Sequence, residues 1–193
     1  MFELNAIDLL LSALKFSAEK HRYQRRKDCI GSPYINHPIE VAEMLWRVGQ
    51  IRDPVVIIGA LLHDTLEDTD ATAEEILTLF GAEVLTLVQE VTDDKTLPKA
   101  QRKRLQIETA AKKSFRAKQL KLADKSCNVY DVTHCPPQDW SLQRRQEYLD
   151  WSEQVVAGLR GVNSPLEAHY DQVLSQARTL LKYSEITCVT QQS

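Results

Sequence analysis

The chain of 193 residues contains little cysteine, and the cysteines that it has are scattered. They are Cys29, Cys127, Cys135 and Cys188, and no two of them form a Cys-x-x-Cys pair. This spacing argues against a thiolate zinc site and against a disulfide framework in a chain of this length. We therefore expect free thiols and a reducing, cytoplasmic location.

The chain also lacks a long apolar run and an excess of basic charge. Its longest uninterrupted apolar stretch, Pro54–Leu62, is far shorter than the roughly 20 residues that a membrane helix requires. A net charge of −3 with 26% charged residues gives no support to a general role on nucleic acids or anionic membranes. Acidic residues interrupt the apolar N-terminus and no basic leader precedes it, so we interpret it as mature helix rather than as a signal peptide.

No segment shows the sustained apolar–polar alternation that is typical of strands. Apolar residues recur instead at helical spacing, as in Leu4, Ile7 and Leu11. The length fits one domain with a single sizeable core. The sequence therefore predicts an all-α bundle over residues 1–184, followed by a short, frayed tail at residues 185–193.

Several helix starts are marked by capping residues. The expected caps are Asn36, Asp53 before Pro54, and either Asp139 or Ser141. The cap at Asp53 also favours a helix over a buried strand for the β-branched run 55–58 that follows. Turn residues separate further predicted helices at residues 73–80, 82–91, 99–111, 115–131 and 165–183.

Four polar side chains occupy positions where a helical core should be apolar. They are His37 in Tyr34-Ile35-Asn36-His37-Pro38, the pair His63-Asp64 that closes the apolar run 55–62, and Asp124 in Leu120-Lys121-Leu122-Ala123-Asp124-Lys125. Each would cost roughly 2–7 kcal/mol if it were buried without a partner. One divalent cation would satisfy all four, and this mixture of nitrogen and oxygen ligands suits Mn²⁺, Fe²⁺ or Zn²⁺.

Each of these residues also has a simpler interpretation. A histidine at a helix start is more often a cap, and Asp124 alone could pair with Lys121 or Lys125 on a solvated turn of helix. The combination favours the metal site, because His63-Asp64 follows a run so apolar that its end must point inward. Asn128 stands one turn after Asp124 and is expected on the same face.

The motifs resemble those of the HD phosphohydrolase superfamily, in which His37, His63, Asp64 and Asp124 would hold one divalent ion in a helical bundle. They resemble most the hydrolase domain of RelA/SpoT-type stringent-response enzymes, and in particular its stand-alone form, the small alarmone hydrolases. The motifs that carry the resemblance are His21-Arg22-Tyr23-Gln24-Arg25-Arg26-Lys27-Asp28, Pro33-Tyr34-Ile35-Asn36-His37-Pro38, Ala60-Leu61-Leu62-His63-Asp64-Thr65-Leu66-Glu67-Asp68-Thr69, Val91-Thr92-Asp93-Asp94-Lys95-Thr96-Leu97-Pro98-Lys99 and Lys121-Leu122-Ala123-Asp124-Lys125.

The resemblance implies an activity and a cofactor. Members of this family remove the 3′-pyrophosphate from (p)ppGpp, which yields GDP or GTP and pyrophosphate, and Mn²⁺ is their usual ion. The family's catalytic acidic pair falls on Glu67 and Asp68, which would orient the attacking water and transfer its proton. The alternative is that Glu67, Asp68 and Asp70 form an ordinary acidic helix end, but carboxylates there would oppose the helix macrodipole.

The family's substrate contacts fall on Arg26, Lys27, Lys99, Asn128 and Tyr148. From charge alone, the run Arg25-Arg26-Lys27 is more often a solvated helix end, and its position before a metal ligand reverses that preference. For the second basic run, Arg102-Lys103-Arg104, we prefer the exposed side of a helix. Trp46, Trp140 and Trp151 are expected to pack between helices rather than to stack on a base.

The chain departs from the family after Asp124. Relatives commonly carry a bulky apolar pair before the asparagine and an arginine soon after it, whereas this chain has Ser126-Cys127-Asn128-Val129-Tyr130. Two other functions remain open at this point. One is hydrolysis of a different nucleotide such as NADPH on the same fold, and the other is a nucleotide sensor without catalysis.

Overall fold

The computed structural model describes the backbone of residues 2–28 and 30–190, and the side chains of residues 6–28 and 30–182. These residues form ten α-helices and no strand, apart from one isolated bridge between Arg25 and Pro33. The predicted all-α fold is therefore confirmed. The helices are α1 (Phe2–Lys20), α2 (Asn36–Arg47), α3 (Pro54–Leu62), α4 (Thr65–Asp68), α5 (Ala73–Phe80), α6 (Ala82–Val91), α7 (Lys99–Ala110), α8 (Phe115–His134), α9 (Leu142–Ala157) and α10 (Ser164–Thr190).

Helix α3 lies at the centre of the bundle because nearly all of its side chains are apolar. It contacts α1, α2, α6 and α8, and seven of its residues, Val56 to Leu62, are buried. Gly59 lets α6 approach closely, since a Cβ at this position would lie 2.6 Å from Leu87. The far side of α8 is covered by α9 and α10. This packing places the end of α3 beside the middle of α8.

The helix ends test the predicted caps. Asp53 accepts a hydrogen bond from the backbone of Val55 at 3.0 Å, and Ser141 accepts one from Arg144 at 3.2 Å. Both caps are confirmed, with Ser141 chosen over Asp139. The predicted cap at Asn36 is wrong: Asn36 is the first residue of α2, and Ile35 precedes it without a side-chain cap.

The last helix is longer than predicted. It continues to Thr190 instead of ending at Tyr183, because residues 183–190 contain no proline or glycine to stop it. The expected frayed tail therefore does not begin at residue 185, and residues 191–193 lie outside the described part of the chain.

Two further expectations can be compared with the described residues. Within them, no helix combines the length and the hydropathy needed to span a bilayer. Cys127 and Cys135 are free thiols, the first buried and the second exposed. Cys29 lies outside the described residues, as does the side chain of Cys188.

Candidate metal centre and adjoining cleft

The four polar residues singled out in the sequence come together at one point of the bundle. His37 lies in the first turn of α2, Asp124 lies in the middle of α8, and His63 and Asp64 form the turn between α3 and α4. This turn ends α3, so that two consecutive side chains point toward the same place. His37, His63 and Asp124 are each less than 5% exposed.

The donor atoms of these residues are separated by distances typical of ligands on one ion. His63 Nε2 lies 3.1 Å from Asp64 Oδ2 and 3.9 Å from Asp124 Oδ1, and His37 Nε2 lies 3.2 Å from the same Asp124 oxygen. Atoms bound to one metal at about 2.0–2.2 Å are roughly 3–4.4 Å apart. One ligand atom from each of His37, His63 and Asp64 lies within 4.8 Å of the other two.

The hydrogen bonds around His63 leave its inner nitrogen free to bind a cation. Its Nδ1 lies 2.7 Å from the carbonyl oxygen of Ala60, to which it donates. Its Nε2 is buried and faces Asp64 Oδ2 at 3.1 Å, on the side of the ring where the other ligands lie. A nitrogen with a free lone pair, fixed by a backbone acceptor on the other side of the ring, is the usual state of a metal-binding histidine.

The carboxylates are likewise held in place by neighbouring donors. Asp124 Oδ2 pairs with Lys125 at 3.2 Å and Lys121 at 3.5 Å, and Asp124 Oδ1 faces the imidazoles. The lysine pairing that the sequence allows for Asp124 is therefore present, but it is buried and not solvated. The hydroxyl of Tyr34 donates to Asp64 Oδ2 at 2.6 Å.

The electrostatics of the cluster favour positive charge at its centre. Burial acts to raise the pKa of Asp64 and of Asp124, but neighbouring cationic groups outweigh it and hold both pKa values below the ordinary range. Burial acts to lower the pKa of His63, whereas Asp64 and Asp124 raise it to about 9. The chemistry of the donor set therefore fits a divalent cation.

The two acidic residues of the predicted catalytic pair lie in the short helix α4, directly after the His63-Asp64 turn. Glu67 accepts a hydrogen bond from the backbone of Asp93 at 3.0 Å and lies 3.4 Å from Arg102. Asp68 accepts one from Gln24 at 3.2 Å and pairs with Lys95. Burial raises the pKa of Glu67, and the hydrogen bond from the Asp93 amide reduces this rise without cancelling it. Glu67 is therefore closer than an ordinary glutamate to the pKa of a general base at neutral pH.

A second cluster of possible ligands lies behind His37 and is already occupied by a cation. His37, Glu40 and Asp131 each offer one ligand atom, and these three atoms lie within 4.8 Å of one another. Arg26 pairs with Asp131 and lies 3.5 Å from Glu40, which supplies the positive charge that these carboxylates need. We therefore assign no second metal to this place.

A cleft of about 560 Å³ opens between α7 and α9. Its lining includes four cationic and three aromatic side chains, which are Lys99, Arg102, Lys103, Arg144, Trp140, Tyr148 and Trp151. Burial, followed by the charges of Arg144, Lys27 and Arg102, lowers the pKa of Lys99. A polyanion bound in the cleft would relieve this crowding of positive charge.

The cleft adjoins the metal centre. Lys125, which pairs with Asp124, also lies 4.7 Å from the ring centre of Trp151 in the cleft. Asp93 lines the cleft and donates its backbone amide to Glu67. The side chain of Lys125 and the backbone of Asp93 therefore connect the cleft wall to the metal centre and to Glu67.

The five predicted substrate contacts are divided between these regions. Lys99 and Tyr148 line the cleft, and exposed Lys27 lies near enough to lower the pKa of Lys99. Asn128 instead donates a hydrogen bond to Asp124 at 2.5 Å. Arg26 is mostly buried in its ion pair with Asp131. The structure thus places two of the five in the cleft and Lys27 near one of them, whereas Asn128 and Arg26 contact carboxylates at or beside the metal centre.

Some cleft residues were not recognised from the sequence. The expectation that Arg102 and Lys103 are exposed is wrong, since both are partly buried in the cleft wall. Trp140 and Trp151 also line the cleft, where Arg144 and Lys103 lie 4.5 and 4.6 Å from their ring centres. The basic residues of α7, together with the basic and aromatic residues that share α9, are the signal that could have identified this surface.

Comparison with known proteins agrees with the fold and the site. Residues 13–151 match a family model described as an HD domain. The chain is 55% identical over 165 residues to the guanosine-3′,5′-bis(diphosphate) 3′-pyrophosphohydrolase MESH1 of Danio rerio. These residues cover 86% of this chain and 92% of the relative. The enzyme of the same name from Homo sapiens is 55% identical over 167 residues, covering 86% of this chain and 93% of the relative.

A solved structure described as a metazoan ortholog of SpoT, which hydrolyzes ppGpp and plays a role in starvation responses, has a TM-score of 0.85 and 49% identity. The match covers 87% of this chain and 94% of that one. The chain therefore belongs to the HD-domain family. Its predicted resemblance to the small alarmone hydrolases is confirmed by these relatives.

Proposed function

We propose that this chain hydrolyses the 3′-pyrophosphate of (p)ppGpp with the help of one divalent cation. The observation that carries the proposal is the convergence of His37, His63, Asp64 and Asp124 at one point of the bundle. Lys125 connects this point to a cationic cleft, because it contacts both Asp124 and Trp151. The named relatives have the same activity and nearly the same length. The products are GDP or GTP and pyrophosphate.

The four converging side chains would hold the cation, and we propose Mn²⁺ as that ion. When bound, such an ion lowers the pKa of a coordinated water and polarises a phosphoryl oxygen of the substrate. Asn128 and the two lysines beside Asp124 hold that carboxylate in place, Asn128 through Oδ1 and the lysines through Oδ2. We further propose a cytoplasmic location, in line with the scattered cysteines.

Glu67 and Asp68 are proposed to handle the proton of the reaction. In the hydrolysis, the water oxygen forms a bond to phosphorus, and the bond between phosphorus and the ribose O3′ breaks. The water loses a proton, for which Glu67 is the proposed acceptor, and O3′ gains one as pyrophosphate leaves. The raised pKa of Glu67 suits a group that accepts a proton near neutrality.

The cleft is proposed to bind the rest of the nucleotide. Its cations, which include Lys99, Lys103 and Arg144, suit the phosphates of the substrate, and Lys27 adds a further positive charge at its edge. Tyr148 offers an aromatic surface for the base or ribose. Arg26 acts indirectly here, through Asp131 and Glu40 behind His37, rather than through contact with the substrate.

A two-substrate assay tests the proposal. Purified protein stripped of metal and reloaded with Mn²⁺ should release pyrophosphate and GDP from ppGpp, and no phosphate from NADPH under the same conditions. The same assay with Fe²⁺ and Zn²⁺ tests the choice of ion. Preferential phosphate release from NADPH would overturn the substrate assignment, and tight binding of ppGpp without turnover would show a sensor.

A further inference from the structure

The loop between α1 and α2 contacts two of the carboxylates on which the proposed reaction depends. Tyr34 donates its hydroxyl to Asp64 at 2.6 Å, and Gln24 donates its side-chain amide to Asp68 at 3.2 Å. The two loop residues are themselves joined, since the backbone amide of Tyr34 donates to the carbonyl oxygen of Gln24 at 3.2 Å. Gln24, Tyr34 and the hydrogen bond between them therefore form one unit that contacts both carboxylates.

A buried histidine lies beneath this unit and has no role in the proposed reaction. His21 is only 2% exposed, and its ring lies 4.8 Å from that of Tyr34. Its Nδ1 lies 2.6 Å from Gln24 Oε1, while its Nε2 is buried and has no hydrogen-bond partner. The single polar contact of the His21 ring among the described side chains is therefore the one to Gln24.

The two neighbours of the Gln24 amide determine its orientation. A glutamine amide has one acceptor oxygen and one donor nitrogen. Asp68 is already paired with Lys95, so an ionised carboxylate faces Gln24 and requires the donor nitrogen. The oxygen must then face His21, which can complete the contact only if Nδ1 carries a proton. The opposite orientation would place the amide oxygen against the carboxylate.

We propose that His21 and Gln24 are positioning residues for Asp68, acting through a chain of hydrogen bonds from His21 Nδ1–H to Gln24 and from Gln24 to Asp68. The chain keeps one oxygen of Asp68 bound on the side away from Lys95 and so limits the rotation of its carboxylate. This inference rests on the proposed function, in which Asp68 takes part in proton transfer. Neither residue contacts the four metal ligands by a hydrogen bond of its side chain.

The first test is a direct measurement on the unmodified protein. Nitrogen NMR of the imidazoles distinguishes the two neutral tautomers, and the His21 signals can be assigned by their loss in His21→Asn. We expect the Nδ1–H tautomer for His21, because Gln24 is its acceptor. An Nε2–H tautomer would overturn the proposal, and this result does not depend on any enzymatic activity.

The second test separates positioning from folding. Gln24→Leu removes the donor to Asp68 at nearly constant volume, so kcat should fall by about 10-fold to 100-fold, as for other residues that orient a catalytic group. KM and the number of divalent ions per chain should stay unchanged. The matched control is Gln154→Leu on the exposed face of α9, which should keep the unmodified kcat.

Variants of His21 provide a second series. His21→Phe keeps the ring but removes the donor, and should lower kcat as much as Gln24→Leu does. His21→Asn places a donor near the position of Nδ1, and should recover part of that loss. Because both residues act through one chain, His21→Phe combined with Gln24→Leu should lose no more than either variant alone.

The outcomes distinguish this inference from the proposed function. If the unmodified protein does not cleave ppGpp, the proposed function fails, and the tautomer of His21 is still measured. If the unmodified protein is active and Gln24→Leu keeps its kcat, the positioning proposal fails. It also fails if Gln24→Leu loses metal, because the effect on kcat would then come from the ion. It fails as well if the kcat losses of His21→Phe and Gln24→Leu add in the double variant, because His21 would then act independently of Gln24. Should Gln24→Leu not fold, Gln24→Glu puts a second carboxylate against Asp68, and an unchanged kcat would again refute the proposal.

Discussion

In the metal centre the ligands are mostly buried and have charged or polar neighbours, whereas the cations of the cleft are long side chains that are exposed or partly exposed. Asp124 has only 6% of its side chain exposed and contacts charged partners on both sides. Arg144, in the cleft, has 43% of its side chain exposed and lies against a tryptophan ring. The comparison indicates that the buried metal centre is suited to the chemistry and that the more exposed cleft is suited to binding the substrate.

The largest effect is expected from removing a ligand of the metal centre. Asp64→Ala should abolish both metal binding and ppGpp hydrolysis, because it removes one of four ligands and leaves a single carboxylate to compensate the charge of a divalent cation. Elemental analysis and a pyrophosphate-release assay measure the two losses. Asp8→Ala, an exposed residue of α1, is the control and should bind one ion per chain. An active Asp64→Ala protein would contradict the metal site.

Replacement of the proposed base should affect turnover without affecting the ion. Glu67→Gln keeps the shape of the side chain and removes its basic oxygen, so we expect kcat to fall by about 100-fold to 10,000-fold. Metal content measured on the same preparation should be unchanged. A loss of metal in Glu67→Gln would instead make Glu67 a ligand, and the division between the four ligands and the acidic pair would be wrong.

Changes in the cleft should raise KM rather than lower kcat. Lys99→Ala or Arg144→Ala removes one of several charges that act together on the substrate phosphates, so we expect KM for ppGpp to rise by about 10-fold, as for a charge-assisted hydrogen bond worth roughly 1.5 kcal/mol. The effect should shrink at high salt, which screens exposed charges. A fall in kcat at saturating substrate would show that the cleft takes part in the chemistry.

A smaller effect is expected from separating the two walls of the cleft. At Gly158 an added Cβ would lie 2.7 Å from the Cβ of Ala110 at the end of α7. Gly158→Ala should therefore push α7 and α9 apart, lower the free energy of unfolding by about 1–3 kcal/mol and raise KM a few-fold. Denaturant unfolding and steady-state kinetics measure the two changes. Gly161→Ala is the control. Its added Cβ has no neighbour within 4 Å, so any effect of this change comes from backbone strain and not from a new contact.

The smallest effect concerns the acid side of the pH profile. Burial raises the pKa of Glu67 from its ordinary value of 4.5, and a base works only when it is ionised. The value of kcat should therefore fall as the pH drops through this raised pKa, at a higher pH than an ordinary glutamate would give. Glu67→Gln should remove this dependence. If the acid limb persists in that variant, another group controls it.

The metal centre could be predicted from the sequence, whereas the cleft was predicted only in part, through Lys99 and Tyr148. His37, His63, Asp64 and Asp124 are polar residues in apolar surroundings, and this contrast is visible along the chain. Arg102 and Lys103 are basic residues on a polar helix face. The sequence pattern of such a face is the same whether it lies in solvent or packs against another polar face. Only the packing of α7 against α9 decides this.

The role of Arg26 shows the same limit. A basic residue before a metal ligand is expected to contact an anionic substrate, but its partner in the structure is Asp131, 105 positions further along the chain. No local pattern predicts an ion pair of this separation. The extension of α10 past Tyr183 was missed for a simpler reason, because a polar sequence without glycine or proline does not mark where a helix ends.

Anomalous diffraction from crystals grown with Mn²⁺ tests the central claim most directly. The account predicts one strong peak per chain, within about 2.0–2.3 Å of His37 Nε2, His63 Nε2 and a carboxylate oxygen each of Asp64 and Asp124. An empty site at saturating Mn²⁺, or an ion bound by other side chains, would contradict it.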